Sequence, residues 1–142
     1  MKHENNGRCE RCHSLIYLYP NPHISLVKWF LDIQSNFPEI HTSCLGRGAF
    51  EQNDFYRKGK SAALYGASPH NYNAAMDVWF LVNGIYVSDK TLYKEKLSGK
   101  VPDYLRWPIS YFRNGNIYTD WPHVEVKDWK NLVSKGILKL VD

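Results

Sequence analysis

A chain of 142 residues, 44% apolar and 23% charged, is sized and composed for one globular domain, which excludes a disordered or repetitive protein. A formal charge of +4, with Lys and Arg scattered instead of gathered in a run, gives no basic stripe for nucleic acid, so none is expected as a partner. No stretch nears the ~20 apolar residues of a membrane span, the polar start is not expected to act as an export signal, and three cysteines, an odd set, argue against a secreted disulfide framework.

In chain order, residues 1–22 are expected to be a loop segment holding Cys9-x-x-Cys12 and His13, punctuated by Pro20 and Pro22. A closed zinc knuckle needs four ligands and the only other cysteine is Cys44, so a further ligand from His3, His23 or His41 would have to be recruited; buried or incidental thiols are the default reading and a second zinc the alternative. Leu26, Phe30, Ile33 and Phe37 recur at helical spacing over Ile24 to Phe37, and Pro38 ends that helix. A short strand over Ile40 to Leu45 is closed by Gly46 and Gly48. A second helix, about Ala49 to Lys58, should turn Phe50, Phe55 and Tyr56 to the core, with Arg57, Lys58 and Lys60 at a solvated end.

Ser61 to Tyr72 reads as a loop. Ala75 to Val82 has the apolar density of a central strand, and Asn83-Gly84 is a strong hairpin signal leading to Ile85–Val87. A capped helix covers Lys90 to Leu97, and a loop with Pro102 and Pro108 follows. Asn114-Gly115 with Ile117 and Tyr118 predicts a second hairpin, His123 to Val126 a strand, and Asp128 to Lys135 a closing helix ended by Gly136. The sum is an α+β domain, a small antiparallel sheet with helices packed on one side. Aromatic residues at 15% suit either a β-rich core or a cleft walled by rings.

Chemistry concentrates in three side chains. His70 precedes the central strand, Asp77 lies on it, and His123 opens a later strand. Two imidazoles and one carboxylate suit a catalytic metal, because they leave residual charge on the ion and a position for water. Such a site also needs a base, and Asp120 is the candidate, since Pro122 keeps Asp120-Trp121-Pro122-His123 from being a regular helix. Glu125, on the same strand face as His123, is either a reserve base or the partner that fixes that imidazole.

The stretch Ser68-Pro69-His70-Asn71-Tyr72-Asn73-Ala74-Ala75-Met76-Asp77, with Asp120-Trp121-Pro122-His123, resembles the Ser-x-His-x-x-Gly-x-Ala-x-Asp and Asp/Glu-x-x-His signatures of the zinc D-alanyl-D-alanine carboxypeptidase and L-alanyl-D-glutamate endopeptidase family, phage endolysins included. Gly46-Arg47-Gly48 with Glu51-Gln52 is similar to that family's Arg…Glu-Gln stretch, so the likeness covers about residues 40 to 126. The resemblance implies a hedgehog/DD-peptidase-like fold, Zn2+ on His70, Asp77 and His123, Asp120 as general base and Arg47 steadying the substrate carbonyl. It also implies substrate contacts from Ser68, Gln52 and Trp121, although Ser68 could instead cap the loop; as aromatics beside strands, Trp121, Trp79 and Tyr72 either wall the cleft or belong to the core. Asn73 stands where the family has Gly, and Asn tolerates the left-handed conformation such a turn needs.

The function implied is hydrolysis of a stem-peptide bond in bacterial peptidoglycan by a monomeric phage or prophage lysin. It would wait in the host cytoplasm and reach the cell wall at lysis, without stable membrane association. The alternatives are a D-alanyl-D-alanine carboxypeptidase or dipeptidase, and a non-catalytic zinc-containing binding module like the hedgehog-type domains.

Overall fold

The computed structural model describes residues 24–44, 46–87 and 89–141. Cys9, Cys12 and His13 therefore lie outside the described residues, as does the expected N-terminal loop. Helix α1 (Ile24–Asn36) leads to strand β1 (Ile40–Cys44) and helix α2 (Ala49–Arg57). A 3-10 helix (Pro69–Tyr72) then precedes strands β2 (Ala75–Val82) and β3 (Ile85–Val87) and helix α3 (Lys90–Leu97). Strands β4 (Leu105–Arg106), β5 (Ile109–Arg113), β6 (Asn116–Asp120) and β7 (His123–Val126) follow, and helix α4 (Trp129–Ser134) closes the chain.

The fold is α+β, as expected. Strand β2 is the centre of a five-stranded sheet. It pairs antiparallel with β1 on one edge; along the other, its first half pairs with β7 and its second half with β3, while β4 adds to β7. Strands β5 and β6 form a separate two-stranded ribbon. Both hairpin turns place Asn then Gly at positive φ, 51° and 79° at Asn83-Gly84 and 53° and 79° at Asn114-Gly115. That pair of conformations matches the right-handed twist of the strands it joins.

Alternation along β2 divides the sheet into two faces. Met76, Val78 and Phe80 are fully buried and belong to one core with Leu26, Trp29, Phe30 and Ile33 of α1. These α1 residues fall at i, i+3, i+4 and i+7, one apolar stripe of a helix. Tyr93 and Leu97 of α3 join the same core, Tyr93 edge-on to Phe80 with its hydroxyl donating to the Val78 carbonyl. Asp77 and Trp79 point to the other face, which carries the polar groups described below.

Helix α2 corrects one expectation. Phe50 and Tyr56 are 74% and 46% exposed, and the helix's buried residue is Gln52. Its inward side serves a polar network instead of the apolar core. No helix among the described residues is long and apolar enough to cross a membrane.

Candidate metal centre

Asp77 and His123 are direct cross-strand partners of β2 and β7, so the pleat sets them side by side on the polar face. His70 arrives from the 3-10 helix. Ser68 caps that helix, its hydroxyl accepting from the His70 backbone N–H at 3.3 Å, while the Asn71 side chain accepts from the Ser68 N–H at 3.1 Å. Asn73 then takes the left-handed conformation, φ 55° and ψ 31°, which turns the chain directly into β2. The left-handed conformation that Asn73 was expected to tolerate is the one it adopts.

Three lone-pair atoms meet here. His70 Nε2 lies 3.2 Å from His123 Nδ1 and 3.4 Å from Asp77 Oδ1, and His123 Nδ1 lies 3.5 Å from Asp77 Oδ1. A tetrahedral ion bound at about 2.0–2.1 Å separates its ligand atoms by about 3.3–3.4 Å. The observed triangle is thus one face of such a polyhedron, and these three residues could hold a metal ion.

Two of the three side chains are oriented from behind. His123 Nε2 is 2.9 Å from Glu125 Oε1, an acceptor that keeps the Nε2 proton in place, so that Nδ1, facing the triangle, is the nitrogen that would give up its proton to a metal. Glu125 is 6% exposed, and its second oxygen lies 3.6 Å from Arg106 Nη1. Of the two roles open to it, the structure displays the partner that fixes the imidazole. Asp77 Oδ2 lies 3.5 Å from Arg47 Nη2, which leaves Oδ1 as the ligand atom.

Gln52 departs from its expected role, whereas Arg47 lines the cleft and also makes contacts the sequence did not predict. Arg47 Nη1 donates to Gln52 Oε1 at 3.0 Å, and its guanidinium sits 4.7 Å over the Phe55 ring. With Nη1 on Gln52 and Nη2 on Asp77, it is a positioning residue for a ligand. Gln52 is fully buried, accepts also from Asn71 Nδ2 at 3.2 Å and donates to Ser61 Oγ and the Ala63 carbonyl at 2.9 and 2.6 Å. It cannot touch a substrate. Asn71, also fully buried, donates to the Arg47 carbonyl at 3.0 Å and accepts from Gly66 N–H, tying three segments together. Sequence reading gave Asn71 no role.

The site opens into a cleft of about 470 Å³ lined by Ser68, His70, Asp77, Trp79, Asp120 and His123, among others. Asp120 ends β6, and a turn through Trp121-Pro122 leads into β7, the bent geometry expected of that segment. The other aromatic expectations divide. Trp79 lines the cleft, but Trp121 does not: it packs edge-on to Trp107 at 5.9 Å and meets Lys94 at 5.4 Å. Tyr72 stacks near Trp129 and donates to the Gly66 carbonyl. Apart from Ser68, then, the expected substrate contacts Gln52 and Trp121 face elsewhere.

Electrostatics separate the two histidines. Burial, reinforced by the Arg47 charge, lowers the His70 pKa to about 4 against the pull of Asp77. Burial opposes charge on His123 too, but hydrogen bonds to Asp77 and Glu125 and the charges of Asp77 and Asp120 outweigh it, raising its pKa to about 9. Asp77 is held well below the usual carboxylate range: burial works to raise it, and the two histidines prevail. Asp120 moves the opposite way, pushed up by burial and by the Asp77 charge. Two carboxylates on one cleft are thereby tuned apart, Asp77 toward the charged form and Asp120 toward the neutral one.

No family model matches the chain, and no curated protein matches it significantly.

Proposed function

We propose that the chain is a zinc-dependent peptidase that cuts a stem-peptide bond of bacterial peptidoglycan, as the L-alanyl-D-glutamate endopeptidase of a phage or prophage lysin. The observation that carries this reading is the near-equilateral His70, Asp77, His123 triangle opening on a cleft that also holds a carboxylate of raised pKa. Mixed nitrogen and oxygen donors at these separations suit zinc, and three protein ligands leave a position for chemistry. When bound, zinc supplies a Lewis acid that activates water and polarises a carbonyl. Asp120 takes the proton from the attacking water and passes it to the leaving amine, a transfer favoured by a pKa raised above the ordinary carboxylate value by burial and the Asp77 charge. Glu125 and Arg47 hold the imidazole and the carboxylate in place throughout, so ligand geometry survives substrate entry. The sequence signatures quoted above supply the substrate class.

The test is digestion of purified cell walls by the zinc-loaded chain, with mass spectrometry of the muropeptides, with and without a chelator. New amino termini on D-glutamate that disappear with chelator are expected. Released free D-alanine would move the assignment to a carboxypeptidase, and unchanged muropeptides would remove the peptidase reading.

A further inference from the structure

The cleft carries more positive charge than the metal site uses. Three cationic side chains line it, Arg47, Lys60 and Arg113, against two carboxylates, Asp77 and Asp120, and a divalent ion would add two further positive charges. Arg47 is committed to Asp77 and Gln52. Lys60 and Arg113 have no carboxylate partner among the described residues, whereas several other surface cations do: Arg57 and Lys58 on Asp54, Lys96 on Glu39, Arg106 on Glu125. Lys60 follows α2 and approaches the face of Phe55, itself a lining residue, at 6.0 Å. Arg113 ends β5, whose alternate residues Ile109, Tyr111 and Arg113 all line the cleft. Two separate segments thus each bring an unpaired cation to the one concavity that holds the metal triangle.

We propose that Lys60 and Arg113 read a free carboxylate on the substrate beside the bond to be cut, so that the chain selects acidic peptides over their amides. The proposal rests on the peptidase reading, and it adds the determinant of specificity. A fixed guanidinium fork and a flexible ammonium together donate to both oxygens of a carboxylate, while a carboxamide offers one acceptor oxygen and no charge. Converting that carboxyl to an amide removes the attraction and leaves two cations facing a neutral group.

Calorimetric titration of the zinc-loaded chain tests this, with Asp120→Asn as background so that peptide is not consumed. The probes are L-alanyl-D-glutamyl-L-lysine with its glutamate α-carboxyl free and the same peptide with that group amidated. The acid is expected to bind about tenfold tighter, as two partly screened charge contacts imply. Lys60→Gln and Arg113→Gln should each remove part of that preference and the double variant all of it, while Lys60→Arg and Arg113→Lys keep most. Lys28→Gln, an equal charge change on α1 beneath the opposite sheet face, should change nothing. Equal affinity for acid and amide, no binding of either, or full preference in the double variant would overturn the pairing. Loss of preference while wall digestion persists would leave the peptidase standing; preference retained without wall digestion would do the reverse.

Discussion

Replacing Glu125 with Gln should weaken metal binding and shift its dependence on pH in a direction fixed by the site. In the metal-free chain His123 has a pKa of about 9, because its hydrogen bonds to Asp77 and Glu125 overcome the effect of burial. At pH 7 a metal must therefore displace a proton held two units above ambient, which costs about 3 kcal/mol. Apparent affinity should rise about tenfold per pH unit up to about 9 and then flatten. Gln keeps an acceptor for the His123 Nε2–H but removes the charge. The ligand becomes less basic and less firmly set, a change that typically costs 10- to 100-fold, with Gln near ~10 and Ala near ~100. The same change lowers the His123 pKa, so the plateau should begin at lower pH and the loss should be larger at pH 9 than at pH 7. Competitive zinc titration against a chromophoric chelator over this range reads both effects. Affinity within twofold of the unaltered chain at pH 9, with the plateau unmoved, would refute the role given to Glu125.

Asp120→Asn should lower peptide turnover by about 10²- to 10⁴-fold while metal content stays at one ion per chain, so that a rate near that of the unaltered chain would remove it as the base. Arg47→Met should strip Asp77 and Gln52 of a buried partner; the loss in denaturant melts is expected at or below the ~3–5 kcal/mol of a fully buried pair, since the Asp77 side chain keeps 21% exposure. Asn73→Ala should cost about 1–2 kcal/mol because Ala lacks Asn's tolerance of the left-handed conformation, and Asn73→Gly should be nearly neutral. The rise in melting temperature on adding zinc should widen from pH 6.5 to 9. In the metal-free fold the raised pKa of His123 contributes stability that is complete below its unfolded value of ~6.5 and lost as pH climbs through about 9, whereas the metal-bound fold has no such proton to lose.

The elements were legible because they rest on local signals. The stripe of α1, the Asn-Gly turns and the apolar run of β2 each fix their own conformation, and their observed bounds agree with the expected ones to within a residue or so. What escaped was short or polar. The 3-10 helix Pro69–Tyr72 read as loop because a single turn has no periodicity, and β4 is two residues between prolines. Gln52 and Asn71 are fully buried, yet polar side chains read as surface when their partners come from distant segments. Arg47 was noticed for its region, but its contacts with Gln52 and Asp77 were not foreseen. In each case hydrogen bonds closed only in three dimensions settle the role, and spacing along the chain does not encode them.

Core and site also depend on one register. Asp77 faces His123 only while Met76, Val78 and Phe80 pack under α1, since a strand has two faces and adjacent residues take opposite ones. A one-residue slip of β2 against β7 would bring an apolar side chain opposite His123 and turn Asp77 into the core. The slip costs the burial of three large side chains and strands a carboxylate away from Arg47, so the apolar face enforces the geometry of the polar one. Truncating Phe80 to Ala should consequently weaken metal affinity as well as stability, although Phe80 lies on the opposite sheet face from all three ligands. Full metal affinity in a measurably destabilised but folded Phe80→Ala chain would show that the ligand pair keeps its register without the core beneath it.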